Sequence, residues 1–166
     1  MIWIIDASVA IRWFIEEEFN ANADQVLQRV VDSPEFFAVP ELFGFEVFSV
    51  LCRIHPEGLR VFSEAVLPIM NSGIFRQPVS DNLIQKAGMF VELGLTGYDA
   101  CYAALAMDLD GCWLTFDKKA HQKIEKKGIS SFIQSAMPEH WQDNFSDKLR
   151  GISNSSGTSA TDQRQR

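Results

Sequence analysis

The sequence has 166 residues, 46 % of them hydrophobic, which suffices for one domain of ordinary size with a real core. A formal net charge of −7 argues against broad, sequence-indifferent nucleic-acid binding, which rests on neutralising phosphates. No apolar run reaches the length of a membrane span and no signal-peptide pattern opens the chain. The three cysteines and three histidines are scattered, without zinc or disulfide spacing, so a reducing cytoplasmic setting is expected.

Residues 2–5 form an unbroken apolar run that ends in Asp6 and Ser8, which reads as a buried parallel strand. Ser8 is the expected N-cap of a helix reaching to about Glu18, and residues 20–31 read as a second helix. Residues 36–39 are a candidate strand stopped by Pro40, which suits the first turn of a helix running to about Ile54. A helix is expected from Glu57 towards Met70, bent or ended by Pro68, then a short strand over 74–77. Helices over 80–93 and 96–109 follow, then a turn at Asp110-Gly111 and a strand over 112–116. Asp117 opens a lysine-rich helix, and residues 129–133 are a last strand. This alternation predicts an α/β fold, a parallel sheet with helices on both faces. The expected domain covers residues 1–145. From 146 the composition turns polar and poor in large apolar residues, so 146–166 is expected to be a disordered tail, with Trp141 and Phe145 able to pack back.

Position selects among the 22 acids. Asp6 and Asp117 each follow an apolar strand and precede a helix, which puts both at the carboxyl edge of a parallel sheet, where ligands bind in such folds. Each also fits the simpler role of helix N-cap. Glu46 lies mid-helix among Leu42, Phe43, Ser49 and Val50, where an ionised carboxylate is costly to bury unless paired; a narrow wet face or Arg53 would also satisfy it. Asp99 fits a variant capping box with Thr96, yet small residues (Ala103, Ala106) follow on its face and allow close docking.

Carboxylates brought together repel, and one holds a proton unless a cation enters. Oxygen donors without nearby His or Cys favour a hard ion, Mg²⁺ or Mn²⁺, which acidifies and orients water and stabilises charge on a phosphate. Lys118, Lys119, Lys123, Lys126 and Lys127 fall within ten residues, either as a solvated helix face or, with Arg12, as a surface that steers a phosphate backbone.

The ordered set resembles the PIN-domain ribonucleases, most closely the VapC-type toxins of toxin–antitoxin pairs. The matching residues are Asp6-Ala7-Ser8 after the first strand, Pro40-Glu41-Leu42 leading to Glu46, Tyr98-Asp99-Ala100 before a small-residue run, and Leu114-Thr115-Phe116-Asp117. They span about residues 1 to 135. The resemblance implies a three-layer α/β/α fold with four or five parallel strands. It also implies a Mg²⁺- or Mn²⁺-dependent endoribonuclease, dimeric and silenced by a cognate antitoxin, that leaves 5′-phosphate and 3′-hydroxyl ends. By the same resemblance Asp6, Glu46, Asp99 and Asp117 are the catalytic metal ligands, with Ser8 and Thr115 in support.

Two other readings compete. Asp108-Leu-Asp110-Gly111 matches the nucleophile motif of haloacid-dehalogenase-type phosphatases, but a helix-forming Ala-Ala-Leu-Ala-Met stretch precedes it where that motif needs a strand. A PIN-like module that binds RNA or protein without cutting would carry the same fold. For a partner helix the chain offers Trp13, Phe14, Phe19, Phe43, Phe45 and Phe48, which also serve as core candidates.

Overall fold

The computed structural model describes residues 1–142; the expected tail, 146–166, and the last residues of the expected domain, Phe145 among them, lie outside the described residues. Five strands, β1 (Trp3–Ile5), β2 (Phe37–Pro40), β3 (Phe75–Gln77), β4 (Cys112–Thr115) and β5 (Ser130–Phe132), form one parallel sheet in the order β3-β2-β1-β4-β5. Every residue of β1, β2 and β4 is buried, as continuous apolar runs covered on both faces require. In register, Trp3 faces Phe37 on one side and Cys112 on the other, and the strand order reverses between β1 and β4. That reversal leaves a crevice outside the carboxyl ends of the two strands.

Eight α-helical segments connect the strands. α1 (Ala7–Ile11) and α2 (Ala21–Asp32) join β1 to β2. α3 (Leu42–Ile54), α4 (Gly58–Val61) and α5 (Leu67–Met70) join β2 to β3, α6 (Asp81–Glu92) and α7 (Gly97–Asp108) join β3 to β4, and α8 (Lys118–Ile124) joins β4 to β5. Right-handed crossovers in opposite directions from the centre put the two sets on opposite faces, giving three layers. α7 packs across β1, β2 and β4. It can do so because its run from Ala100 to Ala106 is buried and mostly small. Trp141 extends the core beyond the last strand, its ring 5.1 Å from Trp3 and 6.2 Å from Phe37.

Three expectations need correction. The first helix is capped by Asp6, not Ser8, and stops at Ile11, with only a 3₁₀ turn at Glu16–Glu18. Asp6 accepts the Ser8 N–H at 2.7 Å, while Trp13 gives its indole N–H to the Ala23 carbonyl and draws the chain off the helical path. Pro40 closes β2, paired with Gln77, rather than opening the helix. Between Glu57 and Met70 the helix is divided by a π segment, Phe62–Val66, just ahead of Pro68, which has no N–H for the Glu64 carbonyl.

The turn before β4 is as expected. Asp110 adopts φ +48°, and a Cβ at Gly111 would lie 2.5 Å from the Ile2 carbonyl oxygen, so only glycine lets β4 approach β1. Asp108 pairs with Lys86 and accepts from Asn82 at the end of α7. Neither Asp108 nor Asp110 stands at a strand terminus, which removes the phosphatase reading.

Candidate active site at the carboxyl edge

Asp6 leaves the end of β1 as the N-cap of α1, almost wholly buried. One carboxylate oxygen accepts the Ser8 N–H; the other accepts the Trp113 indole N–H at 2.8 Å. Burial holds the Asp6 carboxyl above its usual value against the pull of these bonds, and the charge of Asp99 pushes the same way.

Glu46 reaches the same place from α3. Its Oε2 accepts the Tyr102 hydroxyl at 2.6 Å, and the side chain is half-buried. Burial raises its carboxyl to about 7; the Tyr102 bond opposes this, and the charges of Asp6 and Asp99 add to it. Tyr102 itself is pushed well above its ordinary range, mainly by burial, so it remains a hydrogen-bond donor.

Asp99 lies in the first turn of α7. The Thr96 hydroxyl accepts the Asp99 N–H at 3.1 Å and donates to its carboxylate at 2.6 Å, so this acid is both part of a cap and a source of charge on Asp6 and Glu46.

Asp117 stands at the end of β4 as the exposed N-cap of α8, accepting from the Ala120 N–H at 2.8 Å. Its own N–H is held by the buried Thr115 hydroxyl at 2.9 Å, and the Phe116 N–H donates to the Ser8 hydroxyl at 3.0 Å. Ser8 thus ties the β1 and β4 exits together, while Thr115 shapes the turn that follows β4. Asp6, Glu46 and Asp99 lie near enough for their charges to act on one another, whereas Asp117 bonds only within its own turn and helix cap.

Two residues of the site escaped the sequence reading. Tyr102 and Trp113 stack nearly parallel, 5.8 Å apart with 9° between planes, and each gives its polar hydrogen to one acid. The available signal was chemical: a Tyr inside an alanine-rich helix and a Trp in a central strand must find acceptors once buried.

The candidate cations divide. Arg12 donates to the Ser8 carbonyl at 2.7 Å, pairs with Glu18 at 3.2 Å, and lies 4.0 Å over the Phe116 ring. Lys123 is bound to the Gly94 carbonyl. Lys118 and Lys119 are exposed in the first turn of α8.

As donors, the acids suit a hard divalent ion, being all oxygen and mutually repelling. Among the described residues no three His, Cys, Asp or Glu side chains stand close enough to hold one together. The half-buried Glu46 and Asp99 would have to turn inward to close a shell.

These features define an α/β domain with an acidic centre at the switch point of its parallel sheet. A family model for the PIN domain matches residues 3–127, and the chain belongs to the PIN-domain family, whose members are generally nucleases. Among solved structures the chain is similar to PAE2754 from Pyrobaculum aerophilum, with TM-score 0.54 and 22 % identity over 74 % of this chain and 84 % of that one. It is also similar to FitAcB from Neisseria gonorrhoeae, with TM-score 0.58 and 12 % identity over 75 % and 94 %. No curated protein matches the sequence. No helix of the described residues is long and apolar enough to cross a membrane.

Proposed function

We propose that the chain is a Mg²⁺- or Mn²⁺-dependent endoribonuclease, the toxin of a cytoplasmic toxin–antitoxin pair. The observation that carries this reading is the convergence of Asp6, Glu46 and Asp99 from three elements, each held by a dedicated donor and two of them by stacked aromatic partners. Such an arrangement gathers carboxyls where the metal-free protein disfavours their ionisation, a cost that structure alone does not require. Asp6, Glu46, Asp99 and, across the edge, Asp117 would hold the ion. When bound it stabilises charge on the scissile phosphate and acidifies a water for in-line attack. Trp113 and Tyr102 fix the orientations of Asp6 and Glu46, Ser8 fixes the spacing of the two strand exits, and Thr115 holds the turn that carries Asp117. Water oxygen joins phosphorus as the bond to the 3′-oxygen breaks, leaving 5′-phosphate and 3′-hydroxyl ends.

Lys118 and Lys119 occupy the positive end of α8, where cations are disfavoured by the helix dipole. Their place beside Asp117 suits steering of a phosphate backbone. For the antitoxin we assign the apolar groove of about 670 Å³ between α3 and the helix divided at Phe62–Val66, lined by Phe45, Phe48, Phe62, Leu67, Met70 and Arg76. Phe45 and Phe48 are exposed there, whereas Phe43 is core and Trp13 and Phe14 pack partly against it. Homodimerisation belongs to the same proposal.

The test is cleavage of labelled structured RNAs in Mg²⁺, Mn²⁺ or EDTA, beside the same protein co-expressed with the small neighbouring reading frame. Metal-dependent cutting that a co-purifying small protein suppresses is expected. RNA retained without cutting in either metal would assign the fold to a binding module.

A further inference from the structure

We propose that the pocket between α3 and α7 beside Glu46 is a seat for one unpaired RNA base, flanked by Phe45 and Tyr98. The inference rests on the ribonuclease reading and adds to it the part of the substrate that the protein grips. The pocket, of about 540 Å³, is lined by Leu42, Phe45, Glu46, Ser49, Val50 and Tyr98. Its size falls in the usual range for small-ligand sites, about 300–1,000 Å³.

Two acids of the centre, Glu46 and Asp99, are each immediately preceded by an exposed aromatic residue, and both aromatics line this one pocket. Phe45 is 73 % exposed and Tyr98 64 %, so neither contributes much to the core. Leu42 and Val50 add an apolar floor, and the Ser49 and Tyr98 hydroxyls provide polar groups for a base edge. Glu46 is common to the pocket and the acidic centre, so a nucleotide whose phosphate lies at the centre carries its base into the pocket's reach.

The charge of the chain leaves little of an RNA's grip to its phosphates. With a net charge of −7, phosphate neutralisation supplies less affinity than in a basic nuclease, and the acids themselves repel the backbone. Stacking does not depend on charge and works with any base, since every base has a π-face. A base in a duplex has both faces covered by its neighbours, so the ligand class is an unpaired base in a loop, bulge or single strand.

The experiment measures binding of the full chain to fluorescent seven-nucleotide oligoribonucleotides with Ca²⁺ in place of Mg²⁺. The probes are a single strand, the same strand in a duplex, and an abasic ribose-phosphate oligomer. Phe45→Ala and Tyr98→Ala are each expected to weaken single-strand binding roughly 5- to 100-fold, the range of base–aromatic stacking. The salt slope and the Mn²⁺ affinity should stay at their wild-type values, and Phe45→Trp and Tyr98→Trp should retain binding. Wild-type affinity that is equal for the base-bearing and abasic oligomers overturns the proposal. So does unchanged single-strand binding in both alanine variants; if Tyr98→Ala, outside the antitoxin groove, then abolishes capture of a co-expressed partner protein, the pocket belongs to that partner. Base-dependent binding without metal-dependent cleavage would support the pocket while removing the nuclease. Cleavage without any base dependence would do the reverse.

Discussion

Replacing Glu46 by Gln should stabilise the metal-free protein at alkaline pH and leave it nearly unaffected in acid. The carboxyl, ordinarily near 4.5, stands at about 7 in the fold, so the folded chain holds this proton more tightly than the unfolded chain does. Stability from this group is therefore intact below about pH 4.5, falls as pH rises, and is fully lost above about pH 7. A shift of that size corresponds to roughly 3 kcal/mol for the ionised state, and partial exposure of the side chain reduces this to about 1–2 kcal/mol. Gln keeps an oxygen for the Tyr102 hydroxyl but carries no charge. Urea unfolding in EDTA at pH 5 and pH 8 reads the difference. The variant should gain about 1 kcal/mol over wild type between the two pH values. An equal offset at both, or a variant weaker than wild type at pH 8, would refute the claim that ionising Glu46 costs the fold stability.

Tyr102→Phe removes the bond that lowers the Glu46 carboxyl, so the stability profile should move to higher pH, together with a loss of about 1 kcal/mol. An unmoved midpoint in the same pH series would show that the hydroxyl does not set this titration. Arg12→Met should lower stability by about 1 kcal/mol through the lost Ser8, Glu18 and Phe116 contacts, yet leave the salt slope of RNA binding as it was. Lys118→Gln or Lys119→Gln should lower that slope by about 0.7 on a single-stranded RNA. A reduced slope in the Arg12 variant would make it a phosphate contact after all.

Much of the site was legible because the signals were local. The apolar runs ending in Asp6 and Asp117 specified strand and edge, though the cap of the first helix fell on Asp6 rather than Ser8, and the isolation of Glu46 among apolar neighbours marked a carboxylate that needs a partner. Asp99 carried its own cap with Thr96. What escaped depends on contacts between distant segments. Tyr102 and Trp113 serve Glu46 and Asp6 only because α7 docks across β1 and β4, and nothing within either segment names the acid it will meet. The early end of α1 follows from Trp13 reaching the Ala23 carbonyl, a tertiary bond that overrides a helical pattern. The contacts of Arg12 with Glu18 and the Phe116 ring were likewise hidden, since Phe116 lies on another strand's exit.

Titration with Mn²⁺, followed by calorimetry at pH 6 and pH 8, tests most directly whether Asp6, Glu46 and Asp99 act as one unit. Tighter binding at pH 8, proton release on binding at pH 6, and loss of the ion in both Asp6→Asn and Asp99→Asn are the expected results. Binding as tight in Asp6→Asn as in the wild-type protein would contradict the account.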